Sequence, residues 1–317
     1  MLQPRRGRDI DGGIEAFRVM DSADESGHAR RVREYYDRNT GRFLRWGKDE
    51  GTCNIHGALW PPGVRSLGVA MNYPNELVAL EIEACPYPVN RVLDLGCGVG
   101  GSVFYLGRRL PRVRLFQGVS LSSVQVRRAR QRIPGNQTDR FHFEEACFLR
   151  LPIERFQADF SYAIEAFTHG PDPEIFFGVQ AEVLPPGGRL VIIDDCLRDE
   201  LPPGGLSARL ARLLDTYRRN WLLPGLRGFH ALKSTAEAKG FHFIRARNLT
   251  PHLRLGRPRD RAIALLVRLS GGLMERNTYL KALVGGDAKQ KCYRAGLIDY
   301  WLLVFEKQAS DGKRWPI

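Results

Sequence analysis

Two places in this 317-residue chain combine residue types that could do chemistry. The first is Val92-Leu93-Asp94-Leu95-Gly96-Cys97-Gly98-Val99-Gly100-Gly101-Ser102, an apolar run ending in a glycine-rich turn with an acid just before it. Glycines let a backbone turn tightly and approach a ligand with no Cβ in the way. A helix starting near Ser102 would aim free N–H groups at the same point. The spacing G-x-G-x-G-G differs from the G-x-G-x-x-G of a dinucleotide site. The second place is Ala163-Ile164-Glu165-Ala166-Phe167-Thr168-His169-Gly170-Pro171-Asp172-Pro173. There a carboxylate and an imidazole follow another apolar run, and such groups can hold or move a proton.

Regular elements must position these residues. Strands are expected over residues 91–95, 113–119, 141–145, 160–164 and 189–193, with helices over 101–109, 122–132 and 174–184. This alternation predicts an α/β fold, a Rossmann-like, doubly wound and mostly parallel sheet. Ligands of such sheets bind at the carboxyl edge of the strands, where both chemical segments fall. Residues 1–28 are rich in Gly, Arg and Asp without periodicity and read as a mobile arm. Residues 29–85 read as an N-terminal helical segment, and 86–317 as the main domain. Helices at 206–223 and 233–239 and last strands at 241–247 and 298–307 are expected. Helical cap insertions fall near 200–235 and 250–297.

Composition narrows the function classes. Hydrophobic residues make up 43% of the chain, enough for a substantial core, so wholesale disorder is excluded. The formal net charge is +13, which favours an anionic partner: nucleic acid, a membrane surface or a phosphorylated small molecule. The six cysteines form no C-x-x-C pair and read as thiols in a reducing cytoplasm. Residues 1–10 lack an apolar core, so no signal peptide is expected. No apolar run reaches the roughly 18 residues of a membrane span.

With Asp94, Gly96, Gly98, Gly100 and Gly101, the glycine-rich turn resembles motif I of the S-adenosylmethionine-dependent class I methyltransferases. In that family the turn holds the methionyl part of the cofactor. Gly118-Val119-Ser120-Leu121-Ser122-Ser123-Val124-Gln125 is similar to the cyclopropane-synthase and isoprenoid-methyltransferase branches. The resemblance makes Gln125 the ribose ligand, with Ser120 and Leu121 lining the site; the plain alternative is an exposed helix residue. Ala146-Cys147-Phe148-Leu149-Arg150-Leu151-Pro152 is similar to the family's A/G-D-x-x-x-L-P segment, with Cys147 replacing the usual Asp. A thiol is a poor acceptor, so backbone groups and apolar contacts around Cys147 and Phe148 are expected to hold the adenine.

The segment A-I-E-A-x-x-H-x-P-D-P resembles the sterol C-methyltransferases, and a Glu at that place also recurs in the geranyl diphosphate C-methyltransferases. Upstream, Tyr35-Tyr36-Asp37, Trp46-Gly47 and His56 resemble a segment of the sterol and tocopherol methyltransferases. The resemblance implies that Tyr36 and Ile164 face the cofactor and that Tyr35 and His56 face the acceptor. Transfer of a methyl group to an alkene carbon creates a neighbouring carbocation, which an anion can stabilise and then deprotonate. Glu165 could do both; the bland alternative is a buried Glu paired with an Arg. His169 either orients Glu165 or caps a loop. Trp60, Phe167, Trp221 and Tyr279 are candidate aromatic faces for the cation, against simple core packing for each.

The basic surplus concentrates in residues 254–294, including Arg254 and Arg276. Beside the site it could clamp a diphosphate, with Mg²⁺ sharing the charge; a solvated helix face is the alternative. No metal site of the protein's own is expected. These readings imply a C-methyltransferase acting on an isoprenoid alkene, favoured as an isoprenyl diphosphate. A sterol-, triterpenoid- or tocopherol-type acceptor is the rival, with a homo-oligomer open. An RNA-binding methyltransferase-like protein is less favoured, since the chain lacks the N/D-P-P motif and an appended RNA module, and no stable nucleic-acid partner is expected.

Overall fold

The computed structural model describes residues 22–46, 51–200, 205–270, 274 and 277–309. Seven strands form one sheet: β1 (Arg91–Leu95), β2 (Leu115–Ser120), β3 (Phe141–Glu145), β4 (Phe160–Ile164), β5 (Arg189–Leu197), β6 (Phe241–Asn248) and β7 (Ile298–Lys307). Their spatial order is β3-β2-β1-β4-β5-β7-β6. Strands β1 to β5 pair in parallel, and β7 runs antiparallel between β5 and β6. The fold is the expected α/β sheet. Strand order reverses between β1 and β4, and such a reversal opens a crevice at the carboxyl ends of those two strands.

The strands are apolar because helices cover both faces. Val92, Phe160, Tyr162, Val191 and Ile193 point to one core, together with Leu77, Val78 and Ile82 of α2 (Leu67–Glu83) and Val103 and Leu106 of α3 (Gly101–Arg109). Leu93, Leu95, Ala163, Leu190 and Ile192 point to the other, with Phe176 and Phe177 of α5 (Pro173–Val183) and Leu232 and Ala236 of α7 (Phe229–Ala238). α4 (Ser123–Arg130) follows β2, with Ser122 capping it by accepting from the Gln125 N–H.

Several boundaries differ from expectation. Helix α1 spans Ser22–Trp46, so residues 22–28 are helical rather than part of a mobile arm; residues 1–21 lie outside the described residues. β2 begins two residues late because the carbonyl of Asn90 already takes the N–H groups of Arg114 and Leu115. β5 runs on to Leu197, since β7 pairs with it over nine residues. The cap segments hold α6 (Ala208–Trp221) with α7, and α8 (Pro258–Leu269) with α9 (Thr278–Arg294). α9 packs along α6 and against α1, and α8 lies on α9. Among the described residues no helix is long and apolar enough to cross a membrane.

Candidate active site

A cleft with about 1360 Å³ of empty space, its mouth included, opens at the carboxyl ends of β1 and β4. Its floor is the glycine-rich turn. Gly96 and Cys97 both donate to Val119 O, at 3.0 and 2.9 Å, which ties the turn to the end of β2. Gly100 takes a φ of 81°, a conformation that favours glycine, and starts α3. At Gly101 a Cβ would sit 2.4 Å from Cys53 O and 2.5 Å from Asn54 Oδ1, so only glycine admits the loop packed there. Asp94 is buried and accepts from the Tyr162 hydroxyl at 2.8 Å. Burial pushes its carboxyl up to about 7, with the Tyr162 bond pulling the other way. A cationic amino group beside it would favour the carboxylate.

At the end of β2 the Ser120 hydroxyl donates to Gln125 Oε1 at 2.8 Å, fixing the amide's orientation. Gln125 is buried, not an exposed helix residue, and lines the cleft with Ser120 and Leu121. Cys147, Phe148 and Leu149 form another part of the wall. A glycine cradle, the carboxylates of Asp94 and Glu165 and an oriented amide therefore meet in one cleft. That donor set fits a ligand carrying an ammonium, a sulfonium and a ribose.

Glu165 stands at the end of β4 with a φ of 47°, unusual for a residue with a side chain. Its N–H is held by Ile193 O at 2.8 Å. Its Oε1 accepts from the Gly57 N–H at 2.9 Å, and Lys289 Nζ lies 3.7 Å from Oε2. Burial alone would push the carboxyl up, but Lys289, the Gly57 N–H and His56 hold it below the usual carboxylate range. Lys289 itself stays protonated despite burial, because Asp195 at 3.1 Å and Glu165 face it. The rings of Trp221, Tyr300 and Tyr293 stand 5.5, 5.7 and 5.9 Å from its ammonium. Asp195 also accepts from the hydroxyls of Tyr217 and Tyr293. The ion pair weighed against a chemical role for Glu165 thus exists, with a lysine in place of an arginine, and the paired carboxylate still lines the cleft.

His169 does not hydrogen-bond Glu165. Its Nδ1 faces Leu222 O at 3.0 Å and its Nε2 faces the Tyr36 hydroxyl at 2.8 Å. Burial pushes its imidazole down to about 4, so the ring is neutral. It donates from Nδ1 to the carbonyl and accepts the Tyr36 proton at Nε2, a tautomer assigned from these partners. His28 Nε2 lies 2.9 Å from His169 O. Helix α1 is thereby fastened over the cleft, to which His28, Val32, Tyr35, Tyr36 and Phe43 contribute.

Other expected residues divide. Gly96, Gly98, Gly101, Ile164, His56 and Trp221 line the cleft. His56 is buried, with Nε2 3.2 Å from Asn75 Oδ1. Gly100 sits behind the turn against Phe104 and Phe143. Phe167 is not a cleft residue: it packs in the core on Phe176, with ring centroids 4.8 Å apart. Trp60 and exposed Arg254 stack on one another, with the guanidinium 3.7 Å from the ring centroid, and neither lines the cleft. Arg276 and the Tyr279 side chain lie outside the described residues. Among the described residues the basic cap supplies no clamp, and Arg150 is the single lysine or arginine lining the cleft. Lys289, Asp195, His28 and Asn54 emerge only in three dimensions. The Asp194-Asp195 pair closing an apolar strand was the one signal in the sequence that could have pointed there.

Residues 89–237 match a methyltransferase domain family. Over 175 residues the chain is 33% identical to the methyltransferase GfsG of Streptomyces halstedii, covering 55% of this chain and 60% of that protein. Over 228 residues it is 27% identical to cycloartenol-C-24-methyltransferase 1 of Oryza sativa subsp. japonica, covering 71% and 62%. The chain thus spans about 60% of the length of these curated relatives. Geranyl diphosphate C-methyltransferase from Streptomyces coelicolor, solved with Mg²⁺, geranyl diphosphate and S-adenosyl-L-homocysteine, superposes with a TM-score of 0.63 at 17% identity. That alignment covers 88% of this chain and 97% of the other. The family match over residues 89–237, the sheet order and the glycine cradle beneath the cleft agree on a methyltransferase domain there.

Proposed function

We propose that this chain is a C-methyltransferase that alkylates an alkene carbon of an isoprenoid acceptor, with Glu165 as the anion that stabilises and then deprotonates the resulting cation. The observation that carries this reading is the state of Glu165: mostly shielded from solvent, held ionised by Lys289 and the Gly57 N–H, yet facing the cleft beside the glycine-rich turn. S-Adenosylmethionine, when bound, supplies an electrophilic methyl group. Asp94 and the turn would hold its amino-acid end and Gln125 its ribose.

The chemistry of the carboxylate discriminates between acceptors. A hydroxyl or amine acceptor calls for a base matched to a weakly acidic proton, and a carboxylate held below its usual range is poorly matched. A proton on carbon next to a carbocation is strongly acidic, so a weak base removes it. The low basicity of Glu165 therefore supports alkene alkylation, and its charge stabilises the developing cation where water is scarce. Tyr35, Phe43, Phe148 and Trp221 add apolar and aromatic wall to the same cleft.

The cleft also supports a neutral acceptor over a diphosphate. Two buried phosphates need paired cations, and among the described residues only Arg150 lines the cleft with a fixed positive charge. Incubation with labelled cofactor and sterols, prenyl quinols, farnesol and farnesyl diphosphate tests this. Methyl transfer to a neutral alkene is expected, lowered roughly 10²-fold or more in Glu165→Gln with affinity for S-adenosylhomocysteine kept. Turnover confined to the diphosphate and dependent on Mg²⁺ would restore the clamp; methylation at oxygen would refute the carbon acceptor.

A further inference from the structure

Among the described residues Arg150 is the single lysine or arginine lining the cleft, and three exposed arginines, Arg259, Arg261 and Arg268, stand on one exposed helix. In α8, Asp260, Ile263, Ala264 and Val267 are partly buried, while Ala262, Leu265, Leu266 and Leu269 face out. At 100° per residue these four outward positions form one stripe. Leu265, Leu266 and Leu269 keep 56%, 56% and 74% of their surface in solvent. Exposed Arg261 and Arg268 border the stripe on one side and exposed Arg259 on the other. No residue of α8 is buried, so the leucines contribute nothing to the core.

We infer that α8 is an interfacial helix that docks this protein on an anionic phospholipid surface, leucines in the acyl boundary and arginines at the headgroups. The arrangement is the one such helices use: an apolar stripe of modest width flanked by cations, with aliphatic stems lying along the boundary. A second copy of the chain fits less well. One stripe on a twelve-residue helix falls well short of the roughly 800 Å² per partner of a stable interface, and it would set arginine borders against each other. Nucleic acid would use the arginines but leave the leucines in water. α8 rests on α9, which carries Lys289 to Glu165, so the docked surface is the outer layer of the cap over the cleft. The inference holds whatever acceptor the cleft takes.

Sedimentation of the full chain with vesicles tests it. Binding is expected to vesicles containing phosphatidylglycerol and not to pure phosphatidylcholine, weakened but not abolished at 0.5 M salt. The triple variant Leu265→Ser, Leu266→Ser, Leu269→Ser should bind roughly a hundredfold or more weaker, with an unchanged circular-dichroism melt because these side chains are exposed. Arg261→Glu with Arg268→Glu should remove the preference for the anionic lipid. No vesicle binding by the unmodified chain would overturn the inference. So would a concentration-dependent mass lost in the leucine variant without vesicle binding, which indicates self-association. Undiminished binding of the leucine variant to both vesicles and single-stranded RNA would assign the arginines to a general polyanion surface, again overturning it.

Discussion

At the scale of single residues, the site turns on one carboxylate and the lysine that keeps it charged. Lys289 stands between Asp195 and Glu165, and Tyr300, His56 and the Gly57 N–H complete the surroundings of Glu165. Replacing Lys289 by Met removes the main influence holding that carboxyl down, so its pKa must rise. Activity that needs ionised Glu165 is then lost at a higher pH on the acid side. The acid limb of kcat is expected to move up in Lys289→Met while affinity for S-adenosylhomocysteine changes little. An unmoved acid limb would show that Lys289 only supports the fold. The variant should also melt earlier, since breaking a buried pair costs roughly 3–5 kcal/mol.

At the scale of elements, the glycine-rich turn and α1 decide what the cleft can hold. The turn is set between the end of β2, which takes two of its N–H groups, and the Cys53–Asn54 loop, which it touches at Gly101. Gly101→Ala places a methyl group against a backbone carbonyl that cannot swing away, so the loop must shift. A loss of thermal stability with at least tenfold weaker binding of S-adenosylhomocysteine is expected. Gly98→Ala should be milder. Its added Cβ meets only Ile55 Cδ1 at 3.4 Å, leaving roughly 1 kcal/mol of left-handed strain. Calorimetric titration of both variants checks the ranking, and equal losses would mean that the turn is not packed as closely as described. Helix α1 closes the same cleft through Tyr36 and His28, which both bond at His169.

At the scale of the whole molecule, buried acids make stability depend on pH. Burial raises Asp94 to about 7, and burial with the neighbouring Asp195 raises Asp194 to about 7. Unfolded, an Asp ionises near 4, so between about pH 4 and 7 the folded chain binds protons that the unfolded chain has released. The contribution of these two acids to stability therefore falls as pH rises through that window, while buried, neutral His169 contributes in the opposite direction. Asp94→Asn keeps an acceptor for Tyr162 and removes one such penalty. The ligand-free variant should melt higher than the parent at pH 8, by up to a few kcal/mol, and no differently at pH 4, while binding cofactor less well. An Asp94→Asn variant that melts no higher than the parent at pH 8 would contradict the raised Asp94.

The sequence by itself determined the sheet, the glycine cradle and the Glu165 segment, because each is written in residues close along the chain. Apolar runs alternating with helical periods set β1, β3, β4 and β7 at the bounds expected, and the spacing of Gly96 to Gly101 marked the turn. Gln125 was legible through the family resemblance of its segment, and its partner Ser120 is five residues away. Tertiary structure alone decided which charges matter. Lys289 lies 124 positions from Glu165, and nothing in a helical period tells such an inward-turning cap base from those that stay in water. The same limit sent Arg254 onto Trp60 and Phe167 into the aromatic core, away from the roles their types suggested. It also hid the leucine stripe of α8, since apolar residues at helical spacing spell a core face until packing leaves them uncovered. Local pattern fixes what an element is; which of its faces meets solvent, core or cleft is settled only when the elements compete for the same buried space.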